Sequence, residues 1–450
     1  MMPRDVLMDR ADFNTDAASA RIASVDSPAY MSLRSKLLND LIGRVDLKAL
    51  NSLPSQGLRD QLATLVTQML NEYSAMLNMS EQRRMIQDIQ NEVMGLGPIE
   101  PLLKDPGISD VLVNGPKQVY VERNGLLELT NVRFSDSAHL MKIIDKIVSR
   151  VGRHIDESSP MVDARLPDGS RVNAVIPPLA MDGPLLSIRR FPAEPLKISD
   201  LLERKSLTPG MMDLLTAMVR SKLSIVIAGG TGSGKTTLLN ILSSAIPANQ
   251  RIVTIEDTAE LRLQQPHVVR METRPPNIEG SGEVNQRALV RNSLRMRPDR
   301  IIVGEVRGVE VLDMLQAMNT GHDGSMATVH ANSPRDTLTR LENMCSMTGL
   351  NIPAKIVRQQ ISSAITAVVQ IARLTDGRRR VVSLQEIVGM EGDIISMQEI
   401  FSYTQTGVSP DGEVQGYYSA TGVWPKFMAR LKAYGNAVSE DTFNPNKTYE

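Results

Sequence analysis

The chain has 450 residues, 42% hydrophobic and 22% charged, which exceeds one ordinary domain and is the composition of packed globular material. A formal net charge of -1 and 3% aromatic residues supply neither the basic footprint nor the stacking platforms of a nucleic-acid motor, so nucleic acid is not expected as a partner. Cys345 is the sole cysteine, which excludes an intramolecular disulfide, and no apolar run reaches the roughly 18 to 20 residues of a membrane span, so no transmembrane segment is expected.

Residues 1–28 mix Asp, Ala, Ser and Arg without sustained periodicity and read as a disordered tail. Residues 29–95 read as a helical bundle: Leu33, Leu37, Leu38 and Leu41 share one face, Leu58, Leu62, Leu65, Val66 and Met69 another, and a third helix starts after Ser80 as N-cap. Residues 96–192 carry short strands with turn punctuation, Asp110–Gly115, Val119–Gly125 and Asp163–Asn173, and a helix near His139–Val151, which makes a small α+β domain. Prolines mark a linker at 193–204. In residues 205–405 the apolar strands Ile225–Ile227, Ile252–Ile255 and Ile301–Val303 alternate with helices, the pattern of a parallel sheet covered on both faces. The C-terminal segment 406–450 holds the lone Trp424 and an amphipathic stretch Phe427–Tyr434, with no task assigned.

Gly229–Thr236 fits the phosphate-binding loop G-x-x-x-x-G-K-[ST] and sits between an apolar strand and a helical stretch. A chance match in a chain of this length is expected about 0.02 times from average residue usage. In such a loop Gly230, Thr231, Gly232, Ser233 and Gly234 turn backbone N–H groups toward phosphate, Lys235 adds a positive charge, Thr236 can ligate Mg²⁺, and Thr237 continues the helix start. ATP and Mg²⁺ are the cofactors expected. Glu305, ending the strand Ile301–Gly304, and Glu256-Asp257, ending the strand before it, place carboxylates where ligands bind in α/β sheets. Either Glu256 or Glu305 could activate water; Glu305 and Asp257, with Thr236, are the candidate metal ligands. His322 and His330 lie in a glycine-rich run with no zinc-type spacing and fit polar groups presented to a γ-phosphate. Arg287, Arg291 and Arg295 recur every four residues, a face open either to nucleic acid or, better matched by the near-neutral charge, to solvent or a neighbouring subunit.

Four motifs in this order, the Walker A loop, the acidic Thr254–Leu261 box, the strand ending at Glu305 with Arg307, and the Thr320–His330 box, resemble the secretion ATPases of type II, type IV pilus and type IV secretion systems. The wording Glu256-Asp257-Thr258-Ala259-Glu260-Leu261 and the run Leu166–Asn173 are most similar to the CpaF/TadA-type ATPases of Flp, or tight-adherence, pili. The resemblance implies an α/β fold: a RecA-like P-loop NTPase core with a parallel sheet, preceded by a small α+β (PAS-like) domain and an N-terminal helical bundle. It further implies a cytoplasmic homo-hexamer, peripheral at the inner face of the bacterial inner membrane, that hydrolyses ATP to drive a pilus through polytopic inner-membrane platform proteins. The same motifs serve type IV secretion motors exporting protein or DNA. Arg171, Arg189 and Arg190 match the arginines that, in this family, reach the phosphates from the N-terminal domain.

Overall fold

The computed structural model describes residues 28–44, 55–73, 77–123, 125–191, 196–274, 276 and 281–449; the expected tail up to residue 27 lies outside them. The chain divides into two units, one formed by residues up to 121 with 128–190, the other by 122–127 with 191–450.

In the first unit, helices α1 (Pro28–Arg44), α2 (Ser55–Glu72) and α3 (Met79–Met94) bury Leu37, Leu41, Leu62, Val66, Met69, Met85 and Ile89 against one another. The third helix starts from Asn78 rather than Ser80. The Asn78 side chain accepts from the N–H groups of Ser80 and Glu81 while Glu81 accepts from the Asn78 N–H, a reciprocal pair that a serine two residues on does not match. After α4 (Glu100–Lys104) come strands β1 (Ile108–Asn114), β2 (Gln118–Arg123) and β3 (Leu126–Leu129), then α5 (Ser137–Arg150) and strands β4 (Met161–Arg165), β5 (Arg171–Val175) and β6 (Leu185–Arg189). The sheet order is β3-β2-β1-β6-β5-β4. The apolar face of α5, Leu140, Ile143, Ile144, Ile147 and Val148, packs in one core with Val111, Val113, Val172 and Ile188. Helix α5 also holds the end of α3. Lys146 donates to the carbonyls of Glu92 and Val93 at 2.9 and 2.8 Å and Arg150 to that of Met94 at 3.1 Å, cations on the carbonyl end of a helix.

The second unit opens with α6 (Ile198–Glu203), so the second half of the expected linker is helix: Lys197 N–H donates to Asp200 and Leu201 is buried; residues 192–195 lie outside the described residues. There follow α7 (Pro209–Arg220), β7 (Ile225–Gly229), α8 (Lys235–Ser243), β8 (Ile252–Glu256), β9 (Val268–Glu272), α9 (Gln286–Ser293), β10 (Arg300–Val306), α10 (Glu310–Asn319) and β11 (Met326–His330). Helices α11 (Pro334–Ser346) and α12 (Ala354–Ala364) lead to β12 (Ala367–Arg373), β13 (Arg379–Glu391), β14 (Ile394–Val408), β15 (Val414–Ala420), α13 (Met428–Ala433) and β16 (Thr448–Tyr449). The strands lie in the order β16-β15-β14-β13-β12-β7-β11-β10-β8-β9.

From β12 to β9 the sheet is parallel, as expected for this fold class. Beyond β12 it continues antiparallel, because β13 to β15 are joined by connections too short for a crossover. Ile225 and Ile227 of β7 enter one core and Val226 and Ala228 the other, the period of two that a sheet covered on both faces requires. The boundary expected at 405/406 falls inside β14, and Tyr418, Phe427, Leu431 and Phe443 belong to the same core as Ile225. The C-terminal segment is thus part of the nucleotide-domain fold. Among the described residues no helix is long and apolar enough to cross a membrane.

Candidate functional site

The site is built at the carboxyl ends of β7, β8, β10 and β11. Strand β7 is buried throughout and delivers the loop 230–234, where Gly232 and Gly234 have φ of 68° and 98°. Only glycine takes these values without strain. Gly229 is required by space: a Cβ there would collide with the Ile371 carbonyl oxygen. The Ser233 hydroxyl and the buried Lys235 ammonium both donate to the Gly230 carbonyl at 2.9 Å, and Thr236 and Thr237 stand half-buried in the first turn of α8. Thr231 is exposed. No side chain caps α8, so its first N–H groups fit an anion.

Strands β8 and β10 pair in register through Val303 opposite Ile255, which brings Gly304 against Glu256. Glu256 is 2% exposed; its Oε1 accepts from the N–H groups of Glu260 and Leu261, both at 2.8 Å, and its Oε2 is buried without a partner among the described residues. Burial raises its pKa above the ordinary carboxylate range, against the opposing pull of those two N–H groups. Glu305 is more open and accepts from Arg307 at 2.6 Å, while the same guanidinium lies 3.7 Å from Asp257. The loop carrying Arg307 is pinned in turn, since Glu310 accepts from the N–H groups of Arg307 and Gly308 at 2.7 and 2.8 Å. Among the described residues no three His, Cys, Asp or Glu side chains form a metal cage. The donor set present, one buried carboxylate oxygen without a partner, two open carboxylates and the Thr236 hydroxyl, fits an ion such as Mg²⁺ that takes few protein oxygens together with phosphate.

The two histidines are not brought together. His330 ends β11 directly beside Gly229 of β7, at the phosphate loop, whereas His322 precedes Met326, which pairs with Ile225 at the other end of β7, about 13 Å away at the strand rise. His322 faces the Ala317 carbonyl at 3.3 Å and its own carbonyl accepts from Ser325, so it builds the turn into β11 rather than this site. Gln370 of β12 reaches the Ala331 carbonyl at 3.1 Å and fixes the chain just past His330.

In the first unit Arg171 stands in register between Arg165 and Arg189, a row of three arginines on one face of β4, β5 and β6, with Asp110 of β1 next to Arg189 at 3.1 Å. Like charges in direct cross-strand register cost stability, a cost the Asp110 carboxylate beside Arg189 offsets in part. Arg190 departs from the expectation of a pair: it points the other way, and its guanidinium is taken by the carbonyls of Asp105 and Ile108, the latter at 2.8 Å. The face of Arg287, Arg291 and Arg295 also resolves differently. Arg287 and Arg291 pair with Asp313 of α10 at 2.8 and 3.8 Å, and α9 ends before Arg295. Arg165, Arg373 and Arg379 are not singled out by any motif of the sequence, whereas Arg307 belongs to the motif that ends the Glu305 strand. Arg165 could have been, from its position opposite Arg171 across the Leu166–Ser170 turn; Arg373 and Arg379 reach the phosphate loop only through long-range sheet pairing.

The model of the family described as type II/IV secretion system protein matches residues 92–428. A putative conjugal transfer protein of Mycobacterium tuberculosis (strain H37Rv) is 38% identical over 325 residues, covering 71% of this chain and 92% of that protein. Type IV secretion system protein VirB11 of Brucella suis is 33% identical over 316 residues, covering 64% and 88%. The crystal structure of the VirB11 ATPase from the Brucella suis type IV secretion system, in complex with sulphate, aligns at 32% identity over 64% of this chain and 91% of that one, with a TM-score of 0.36.

Proposed function

The chain belongs to the type II/IV secretion system protein family, and we propose that it is the ATPase of a trans-envelope machine: a homo-hexameric motor, held at the inner face of the inner membrane by polytopic platform proteins, that powers Flp-type pilus assembly. The observation that carries the ATPase reading is the buried Glu256, with one carboxylate oxygen unpartnered among the described residues, on β8 beside the Glu305 strand β10, which in turn pairs with β11 carrying His330 next to β7 and the phosphate loop.

Gly230 to Thr237 hold the phosphates through backbone N–H groups, and Lys235 neutralises their charge. Thr236, Glu305 and Asp257 are the side chains that would hold Mg²⁺, which when bound would supply neutralisation of charge at the phosphates. Glu256 orients the attacking water and takes its proton at Oε2, a task suited to a carboxylate whose pKa burial has raised. His330 positions the γ-phosphate side, and the row of Arg171 and Arg189 with Arg165 completes the charge clamp when the ring closes.

The wording of the motifs and the three-helix bundle, most of which precedes the matched residues 92–428, support the pilus branch. A second reading, a type IV secretion motor exporting protein or DNA, is supported by the names of the relatives in Mycobacterium and Brucella. Affinity purification of the tagged chain from its own cells decides between them. Recovery of pilus platform subunits supports the first, and recovery of secretion-channel subunits in their place overturns it. Glu256→Gln and Glu305→Gln test the division of labour: the first should bind ATP tightly without turning it over, and the second should lose metal-dependent binding as well. Equal behaviour of the two refutes it.

A further inference from the structure

The hairpin of β12 and β13 carries two arginines at its turn end, Arg373 and Arg379, directly opposite each other in register. Its turn is tightly built: Leu374 N–H donates to the Arg378 carbonyl at 2.8 Å, Gly377 takes φ of 81°, and the Asp376 carboxylate accepts from the N–H groups of Arg378 and Val414 at 3.0 and 2.9 Å. Strand β12 lies beside β7 with Ile371 opposite Gly229, so the hairpin's end is fixed against the phosphate loop.

Arg379 Nε donates to the Gly232 carbonyl at 2.9 Å, and its Cδ would stand 3.3 Å from a Cβ on Gly234; Arg373 would stand 3.5 Å from a Cβ on Gly232. Both guanidiniums share the carboxylate of Glu122, Arg373 at 3.2 Å and Arg379 at 3.4 Å, which orients them. The Gly232 carbonyl belongs to the same peptide group as the Ser233 N–H. That N–H is only weakly engaged within the loop, 3.4 Å from the Gly230 carbonyl. A cationic donor on the carbonyl polarises the peptide and makes its N–H a stronger donor, as hydrogen bonds in a chain strengthen one another.

We propose that Arg379 is a positioning residue for nucleotide binding, acting through the Gly232–Ser233 peptide: it holds the phosphate loop in its phosphate-accepting shape and strengthens the Ser233 N–H toward phosphate. Arg373 and Glu122 hold Arg379 in place. This rests on the reading of Gly229–Thr236 as the ATP phosphate site, and it assigns to the antiparallel extension of the sheet a part in nucleotide affinity.

The test compares the parent with Arg379→Ala and Arg379→Lys in the full chain, measuring Mg-ADP binding by calorimetry and KM and kcat for ATP by phosphate release. Loss of one charge-assisted hydrogen bond predicts that Arg379→Ala raises both the ADP Kd and the ATP KM by about tenfold while kcat stays within about threefold. Arg379→Lys, which keeps a cationic donor within reach of the carbonyl, should fall nearer the parent in Kd. A purely structural role would lower the active fraction, and with it kcat and Tm, and leave Kd and KM of the folded protein where they were; that outcome overturns the proposal. So does an Arg379→Ala protein with parental Kd and KM. If the parent itself neither binds ADP nor hydrolyses ATP, the reading of the phosphate loop fails first and this inference with it.

Discussion

Replacing Gly304 by alanine should disable the site through Glu256. A methyl group at Gly304 would lie 2.9 Å from Glu256 Cγ and 3.5 Å from its Cβ and Oε1. Carbon atoms are at ease about 3.5 to 4.0 Å apart, so the Glu256 side chain must withdraw by roughly 0.5 to 1 Å. It has little room to do so, because the residue is buried and Oε1 is held by two N–H groups at 2.8 Å. Overpacking of this kind costs about 1 to 3 kcal/mol of stability. A base displaced by about 1 Å loses on the order of a hundredfold in rate. Steady-state phosphate release and urea unfolding of Gly304→Ala should therefore show kcat lower by well over tenfold, together with a stability loss in that range. Adding Glu256→Asp, which removes one methylene, should restore part of the stability and none of the activity. An alanine variant with parental kcat and parental urea midpoint would refute the close packing of these two strands and the role given to Glu256.

Because burial raises the Glu256 pKa, the folded chain holds its proton above the pH at which the unfolded chain has released it. This group's contribution to stability therefore falls as pH rises from the ordinary carboxylate range through the raised value. Turnover, which needs the carboxylate, rises through the same window, so kcat/KM should show an acid limb displaced upward; a limb at the ordinary glutamate range would contradict the assignment. Burial pushes the Cys345 thiol up to about 11, so a thiol reagent at pH 8 should label the chain only on addition of denaturant, and prompt labelling of the native protein would contradict the packing of α11. Arg300 is fully buried and donates to the Gln250 side chain and to the carbonyls of Gly324 and Val219 at 2.6, 3.1 and 2.7 Å. Arg300→Met leaves two buried carbonyls and the half-buried Gln250 side chain without this donor and should cost about 3 to 5 kcal/mol in urea unfolding; a cost under about 1 kcal/mol would refute that network.

The parts of the fold visible in sequence are those where one local rule acts alone. The runs 225–229, 252–256 and 300–306 are mostly apolar because both faces of the strand are covered, and each carries a glycine or a glutamate at or next to its carboxyl end. The start of α3 went to Asn78 because capping depends on a reciprocal partner, Glu81, and not on the nearest hydroxyl. Strands β13 to β15 alternate weakly and carry Arg, Gln, Tyr and Ser on their more open positions, so they look like irregular chain until β12 supplies an edge to pair with. His322 and His330 share one motif, yet His330 ends β11 at the phosphate loop while His322 lies in the turn before that strand begins, since an extended strand carries its two ends apart. Arg379 shows the converse: it lies 147 residues from Gly232 and meets it through pairing alone. Arg307 beside Glu305 was legible as a neighbour in sequence, but its bridge toward Asp257 depends on the register of β8 and β10.

The central claim is that this chain turns over ATP at the loop 229–236. Phosphate release by the purified full chain with Mg-ATP, compared with Lys235→Ala prepared in parallel, tests it most directly. Steady turnover by the parent and a loss of at least a hundredfold in the variant, with its urea midpoint unchanged, is the result the site predicts. Equal rates in the two proteins, or no turnover by a folded parent, would contradict it.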